Sequence, residues 1–234
     1  LGVVNGDNFQ VALLDTPGFL RKGRDQLDAA MAHQLASALA DADVAMLVAE
    51  PRPPGDVELH LIEQMAAAKM PAVLALNKVD AVAKHKMLPV LQAYADTYPF
   101  HEIVPVSALE KDGVELLLEL TAAHLPEQEA IFPPEMLTDR SVSFLAAEII
   151  REKVFHLYEH EVPYDVAVEI EEYEEREGTQ PDLVRATVYV DKQSQKSLLI
   201  GKAGQALKEV GTLAREEIEE MVGRPVYIEL WVKV

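Results

Sequence analysis

The sequence contains no cysteine, which removes disulfides and thiolate chemistry from what the chain can do. It has no long hydrophobic run either. The longest apolar stretches, residues 44–49 and 72–76, fall far short of the ~18 residues of a membrane span, and no segment has the pattern of a signal peptide. These absences lead us to expect a cytosolic protein. Cations are scarce: 21 Lys and Arg against 40 Asp and Glu give a formal charge of −19. Such a chain is not an indiscriminate nucleic-acid binder, because phosphate attraction is the main non-specific term. A local basic patch remains compatible with that total. The seven histidines are scattered; only His156 and His160 share i,i+4 spacing, no carboxylate pattern completes a ligand set, and we expect no zinc. Repeats and low-complexity tracts are absent.

What is present is 234 residues of globular composition, 49% hydrophobic and 26% charged, enough for one large domain or two ordinary ones. The first two thirds alternate strand-like and helix-like segments. Strands are expected at residues 9–14, 42–48, 71–76 and 102–106. Helices are expected at 26–40, 56–68 (opened by Asp56 as N-cap), 84–98 and 113–124. Alternation at these lengths predicts an α/β, doubly wound parallel sheet, with its ligand beyond the carboxyl ends of the strands. Pro126, Pro133 and Pro134 then mark a linker over 126–140. The order changes beyond it: helix 142–158, strands 166–175 and 183–190, helices 195–200 and 205–222, strand 226–234. This αββααβ pattern predicts a small α+β domain over 141–234, following a first domain over 1–125.

Three short motifs fall at the carboxyl ends of strands in the first domain: DTPG at 15–18, NKVD at 77–80 and SAL at 107–109. Alone each is weak; together on one sheet edge they suit a nucleoside triphosphate. Asp15 can hold a hard cation through water. Gly18 lets its backbone N–H approach a terminal phosphate, with Thr16 in the same turn. Asp80, acceptor-only when ionised, can take the paired ring N–H and exocyclic amine of guanine, a donor pair that adenine lacks. Asn77 can bond the base or brace the neighbouring loops, the Lys78 stem can lie along the base plane, and the Ala108 N–H, between Ser107 and Leu109, can donate to the guanine carbonyl.

At these residues the sequence resembles the translation-factor-type GTPases, whose third, fourth and fifth nucleotide motifs are DTPG, NKxD and SAL. In the second domain, IGKAG at 200–204 lies between two helices and resembles the GxxG loop of a type II KH domain. The combination is similar to the Era family. The resemblance implies a P-loop NTPase-type first domain and a GTP hydrolase using GTP/GDP and Mg2+, with Asp15 the metal ligand and K+ a further candidate cation. It also implies a role in 30S ribosomal subunit maturation, with the 3′ end of 16S rRNA and the 30S subunit as partners and no DNA. A cytoplasmic location follows, and a peripheral association with the inner membrane is left open. The alternatives are an RNA-binding adaptor with a degenerate GTPase domain and a Der-type GTPase. The GKAG loop speaks against the second. Phe19 stands where Ras-like enzymes carry a water-orienting glutamine, and it cannot serve that way.

A G-x-x-x-x-G-K-[ST] phosphate loop is not found. The only Gly-Lys pair is Gly201-Lys202, in the second domain. We therefore expect the natural protein to have a further N-terminal segment, containing this loop and a strand between those at 9–14 and 42–48, and we expect these residues alone not to hydrolyse GTP. On the RNA side, Gly201 and Gly204 permit close approach of a backbone while Lys202, beside Ala203, supplies charge. Over residues 181–208, five cations (Arg185, Lys192, Lys196, Lys202 and Lys208) face two carboxylates, a net +3. Over 169–177, six glutamates face one arginine, a net −5. The basic strip therefore surrounds the GKAG loop. A bland alternative, capping glycines with solvated lysines, fits the same residues.

Overall fold

Ala72–Leu76 is apolar and buried at all five positions, as a central strand covered on both faces should be. The computed structural model describes residues 1–15, 38–158 and 166–234. Thr16, Gly18, Phe19 and most of the helix expected at 26–40 lie outside these residues. Two compact units result, Leu1–Asp139 and Arg140–Val234.

In the first unit, β3 (Ala45–Ala49), β4 (Ala72–Leu76) and β5 (Glu102–Pro105) form a parallel sheet in that order. One face carries Leu47, Leu74 and Leu76 against Ile62 and Met65 of α1 (Asp56–Ala68) and Val90 and Tyr94 of α2 (Met87–Thr97). The other carries Val73, Ala75 and Val104 against Leu117 of α3 (Val114–Ala122). Helices on both faces make this the doubly wound α/β arrangement that the alternation predicts. Two helix starts differ from expectation. The cap of α1 is Gly55, whose N–H donates to Glu58 Oε2 at 3.0 Å, and Asp56 is the first helical residue instead, where its charge suits the positive end of the helix. The segment before α2 begins as a separate 3-10 turn at Lys84–Lys86. Pro89 then falls in the first turn of α2, where its missing N–H leaves no helical acceptor unfilled.

The strand expected at 9–14 does not join the parallel sheet among the described residues. It forms a separate antiparallel hairpin, β1 (Gly2–Asn5) with β2 (Gln10–Leu13). DTPG therefore does not share the sheet edge of NKVD and SAL as expected, because β2 finds its backbone partners in β1 alone. The proline-marked segment is anchored to this hairpin. Gln10 Oε1 accepts the N–H groups of Ile131 and Phe132 at 3.0 and 2.9 Å, and the Val3 N–H donates to Leu137 O at 2.8 Å. Prolines removed donors from this stretch without freeing it, because side-chain amides and the hairpin edge satisfy what is left.

In the second unit, β6 (Ala167–Glu174) runs antiparallel to β7 (Asp182–Tyr189), which runs parallel to β8 (Val226–Lys233). The helices α4 (Val142–Leu157), α5 (Gln193–Ile200) and α6 (Gln205–Val222) cover one face of this sheet around Ile150, Val154, Val184, Val188, Leu199, Val210 and Ile218. Val210, Ala214 and Ile218 recur every four residues, which lays one stripe of α6 onto the sheet. Buried Asp182 accepts the Arg176 N–H at 2.9 Å and pairs with Arg224 at 3.0 Å, tying two turns together.

Leu74→Ala should lower stability by about 2–5 kcal/mol, the range for a large-to-small change at a fully buried site. Urea unfolding followed by circular dichroism measures it.

Candidate nucleotide pocket and nucleic-acid loop

Parallel strands β3, β4 and β5 all end on one edge, and the loops leaving that edge are tied to each other. The Asn77 N–H donates to Ala49 O at 2.8 Å, so the chain leaves β4 still paired to β3. Asn77 Oδ1 then accepts two backbone N–H groups, from Lys78 at 2.8 Å and from Ala108 at 2.9 Å. The first bond helps to hold Lys78 at a positive φ of 65°; the second joins NKVD to SAL. A second bridge runs beside it: buried Ser107 donates its hydroxyl to Asp80 Oδ1 at 2.6 Å and accepts the Glu110 N–H at 3.1 Å. Asn77, Lys78, Asp80, Ser107, Ala108 and Leu109 are thus brought together. Asp15 ends the strand-side segment after β2 as an exposed carboxylate.

Two features differ from the sequence reading. The Ala108 N–H, expected to be available to a base carbonyl, is taken by Asn77 in this state. Glu50, just past β3, pairs with Lys78 Nζ at 2.9 Å, and the hydrogen bond from Lys78 holds its carboxyl below the usual range. Glu50 belongs to no motif; its place at the same sheet edge was the only signal for it. Asp80 keeps a second oxygen and a free lone pair on the first, the acceptor set for a pair of N–H donors.

In the second unit, α5 ends and α6 begins within the four residues GKAG. Gly201 has φ 70° and ψ −175°, Ala203 φ 55° and Gly204 φ 76°. A Cβ at Gly201 would lie 2.5 Å from that of Ala206, so glycine is required there by packing as well as by φ. The turn therefore caps two helices and also presents exposed Lys202 and Ala203 at its tip. Lys192 and Lys208 are exposed and Lys196 half-buried on the flanking helices. Arg185 does not join them. It reaches the face of the sheet away from the helices, bonding Glu229 at 2.8 Å and also Glu172. Its inclusion in the basic strip followed from sequence proximity alone; alternation along β7 turns it the other way. No cluster of three or more metal-ligating side chains occurs among the described residues.

A nucleotide-type loop cluster on an α/β sheet, followed by an α+β domain with a GxxG turn, defines a GTPase domain joined to a KH domain. Residues 3–127 match the elongation factor Tu GTP-binding domain family and residues 161–234 the KH domain family. The chain belongs to the Era GTPase family. It is 42% identical to GTPase Era of Geobacter metallireducens and 37% identical to that of Ruminiclostridium cellulolyticum, in each case over its whole length and 78% of the relative. Among solved structures it is similar to a variant of Aquifex aeolicus Era bound to GDP.AlF4- (34% identity, TM-score 0.84) and to Era in complex with MgGDPNP and nucleotides 1506–1542 of 16S ribosomal RNA (35%, 0.84). Each match covers all of this chain and 80% of the other. The family is one of GTP-hydrolysing enzymes that use GTP, GDP and Mg2+.

Ser107→Ala removes a buried hydroxyl and both of its hydrogen bonds. Stability should fall by about 1–3 kcal/mol, read as a lower urea midpoint with the slope unchanged.

Proposed function

We propose that this chain is the guanine-reading and RNA-binding part of a nucleotide-switched assembly factor for the 30S subunit, acting in the cytoplasm on the 3′ end of 16S rRNA. The observation that carries the reading is the pair of bridges, Asn77 to Ala108 and Ser107 to Asp80, which builds a base site from two separate loops. In it, Asp80 accepts the two N–H donors on the guanine edge. Asn77, its carbonyl already used for bracing, offers its amide N–H groups to a ring nitrogen. Lys78 lies along the base, released from Glu50 or steadied by it. Ala108 exchanges Asn77 for the guanine carbonyl. Asp15 fits a Mg2+ held mainly by phosphates and water, since a single exposed carboxylate is the protein share that such an ion takes. That ion supplies charge neutralisation at the phosphates. Thr16 and Gly18, outside the described residues, are assigned to the same proposed site by their DTPG motif.

The RNA half of the reading is supported by the relative crystallised with nucleotides 1506–1542 and by the GKAG geometry. Gly201, Lys202, Ala203 and Gly204 let a single-stranded backbone approach, with Lys192, Lys196 and Lys208 as flanking cations. The role in 30S maturation is the reading of that contact joined to a nucleotide switch. No helix among the described residues is long and apolar enough to cross a membrane.

Two experiments test the halves separately. In a full-length protein, Asp80→Asn should weaken GTP binding and shift preference toward xanthosine nucleotides. Each lost charge-assisted bond is worth roughly 1.5–3 kcal/mol; unchanged GTP affinity in a titration with labelled nucleotide would refute the assignment. For RNA, the double change Lys202→Asp and Ala203→Asp keeps both glycines, and Asp tolerates the left-handed φ at position 203. Binding of a 16S 3′-end oligonucleotide should fall about tenfold or more, with a shallower salt dependence. Equal binding by parent and variant, at equal circular dichroism, would remove the RNA role from this loop.

A further inference from the structure

The chain has one tryptophan, and it is not in a core. Trp231 lies on β8 with 43% of its surface exposed, and Tyr227 on the same strand is 52% exposed. Both belong to the face of the β6-β7-β8 sheet that the helices leave bare. Alternation sets Tyr227, Glu229, Trp231 and Lys233 on this face of β8, opposite Leu183, Arg185, Thr187 and Tyr189 of β7. On β6, Glu169, Glu171, Glu172 and Glu174 complete it: Glu171 accepts from Thr187 Oγ1 at 2.7 Å and from Lys233 Nζ at 2.9 Å, and Glu172 pairs with Arg185. Five carboxylates thus meet three cations, Arg185, Lys233 and Arg176, the last bonding Glu174 at 3.2 Å, and all three are already paired within the unit.

We propose that this bare sheet face is a docking surface for an arginine-rich segment of a protein partner. Charge complementarity excludes a nucleic-acid backbone from it and favours a polycation. Coulomb attraction alone would need no rings, yet the face carries Tyr227 and Trp231 separated by Glu229. Successive same-face positions along a strand are about 6.6 Å apart, so aromatic, carboxylate and aromatic alternate at the spacing of same-face side chains in an extended peptide. A guanidinium stacks on an aromatic face and bonds a carboxylate through a planar fork, and arginine does both better than lysine. The surface already shows the motif in miniature: Lys233 Nζ sits 5.8 Å from the centroid of Tyr189 while bonded to Glu171. The GKAG turn joins two helices that pack on the opposite face of the sheet, so RNA and this partner occupy different sides of the unit and can be held together.

Trp231 is the reporter. The full chain is titrated at about 0.15 M salt with an arginine nonapeptide, and in parallel with a lysine nonapeptide, while tryptophan emission is read. The arginine peptide should give a saturable change and bind several-fold tighter than lysine. Glu169→Gln with Glu229→Gln should weaken arginine binding about tenfold, and Tyr227→Ser several-fold. The charge-matched pair Glu209→Gln with Glu216→Gln, on exposed positions of α6, should leave it within about twofold. Equal binding of the two peptides, or equal weakening by the two glutamine pairs, would reduce the effect to bulk charge and overturn the proposal. So would an emission change on adding the 16S 3′-end oligonucleotide alone, or a concentration-dependent dimer in sedimentation that accounts for the change, since the occupant would then be RNA or a second copy.

Discussion

A single side-chain carbonyl, that of Asn77, holds the first unit's site together. It accepts one N–H from its own loop and one from the loop after β5, so the loops that carry NKVD and SAL, the proposed base site, are fixed to each other. Parallel strands make this economical. Because β3, β4 and β5 point the same way, three loops emerge side by side, and one short amide can bridge two of them. Ser107 and Asp80 repeat the logic one residue further along. Such preorganisation lowers the ordering cost of binding. It also has a consequence: the Ala108 donor is in use, so the proposed recognition of a carbonyl at that place requires exchange of partners.

The second unit meets a different constraint. On the proposed reading it has to bring a polyanion close to a chain carrying a net charge of −19. The fold separates the signs. Lysines surround the turn between α5 and α6, while the glutamates of β6 and β8 lie on the sheet face away from the helices. Arg185 is an exception: alternation along β7 places it on the glutamate face, where it pairs with Glu172 and Glu229. The backbone of GKAG does the rest: three of its four residues have positive φ, which exposes the tip and leaves little side chain in the way.

Much of this was legible in the sequence because the signals were periodic or punctuated. The α1 range and the α6 range are those expected from the pattern, since an apolar stripe runs along each, Gly223 stops α6, and α1 lies between Gly55 and Pro71. NKVD and SAL follow β4 and β5 as the alternation requires, whereas DTPG follows β2, which lies in a separate hairpin, and Thr16, Pro17 and Gly18 lie outside the described residues. What was not legible depends on contacts distant in sequence. Proline spacing could not reveal that residues 131–137 are bonded to Gln10 and Val3, more than 120 positions away. Nor could a lone Glu50 announce its pairing with Lys78, or Gly55 displace Asp56 as a cap without knowledge that Glu58 would reach back to it. Side-chain acceptors choose among donors in three dimensions, and a single sequence orders those donors only along the chain.

The central claim is that the base site is braced by Asn77 in the absence of nucleotide. Amide hydrogen exchange on the nucleotide-free protein tests it directly. The Ala108 N–H should exchange at least about fivefold more slowly than that of neighbouring exposed Leu109, the protection given by a hydrogen bond worth about 1 kcal/mol. In Asn77→Ala that difference should vanish. Equal exchange of Ala108 and Leu109 in the parent protein would contradict the account.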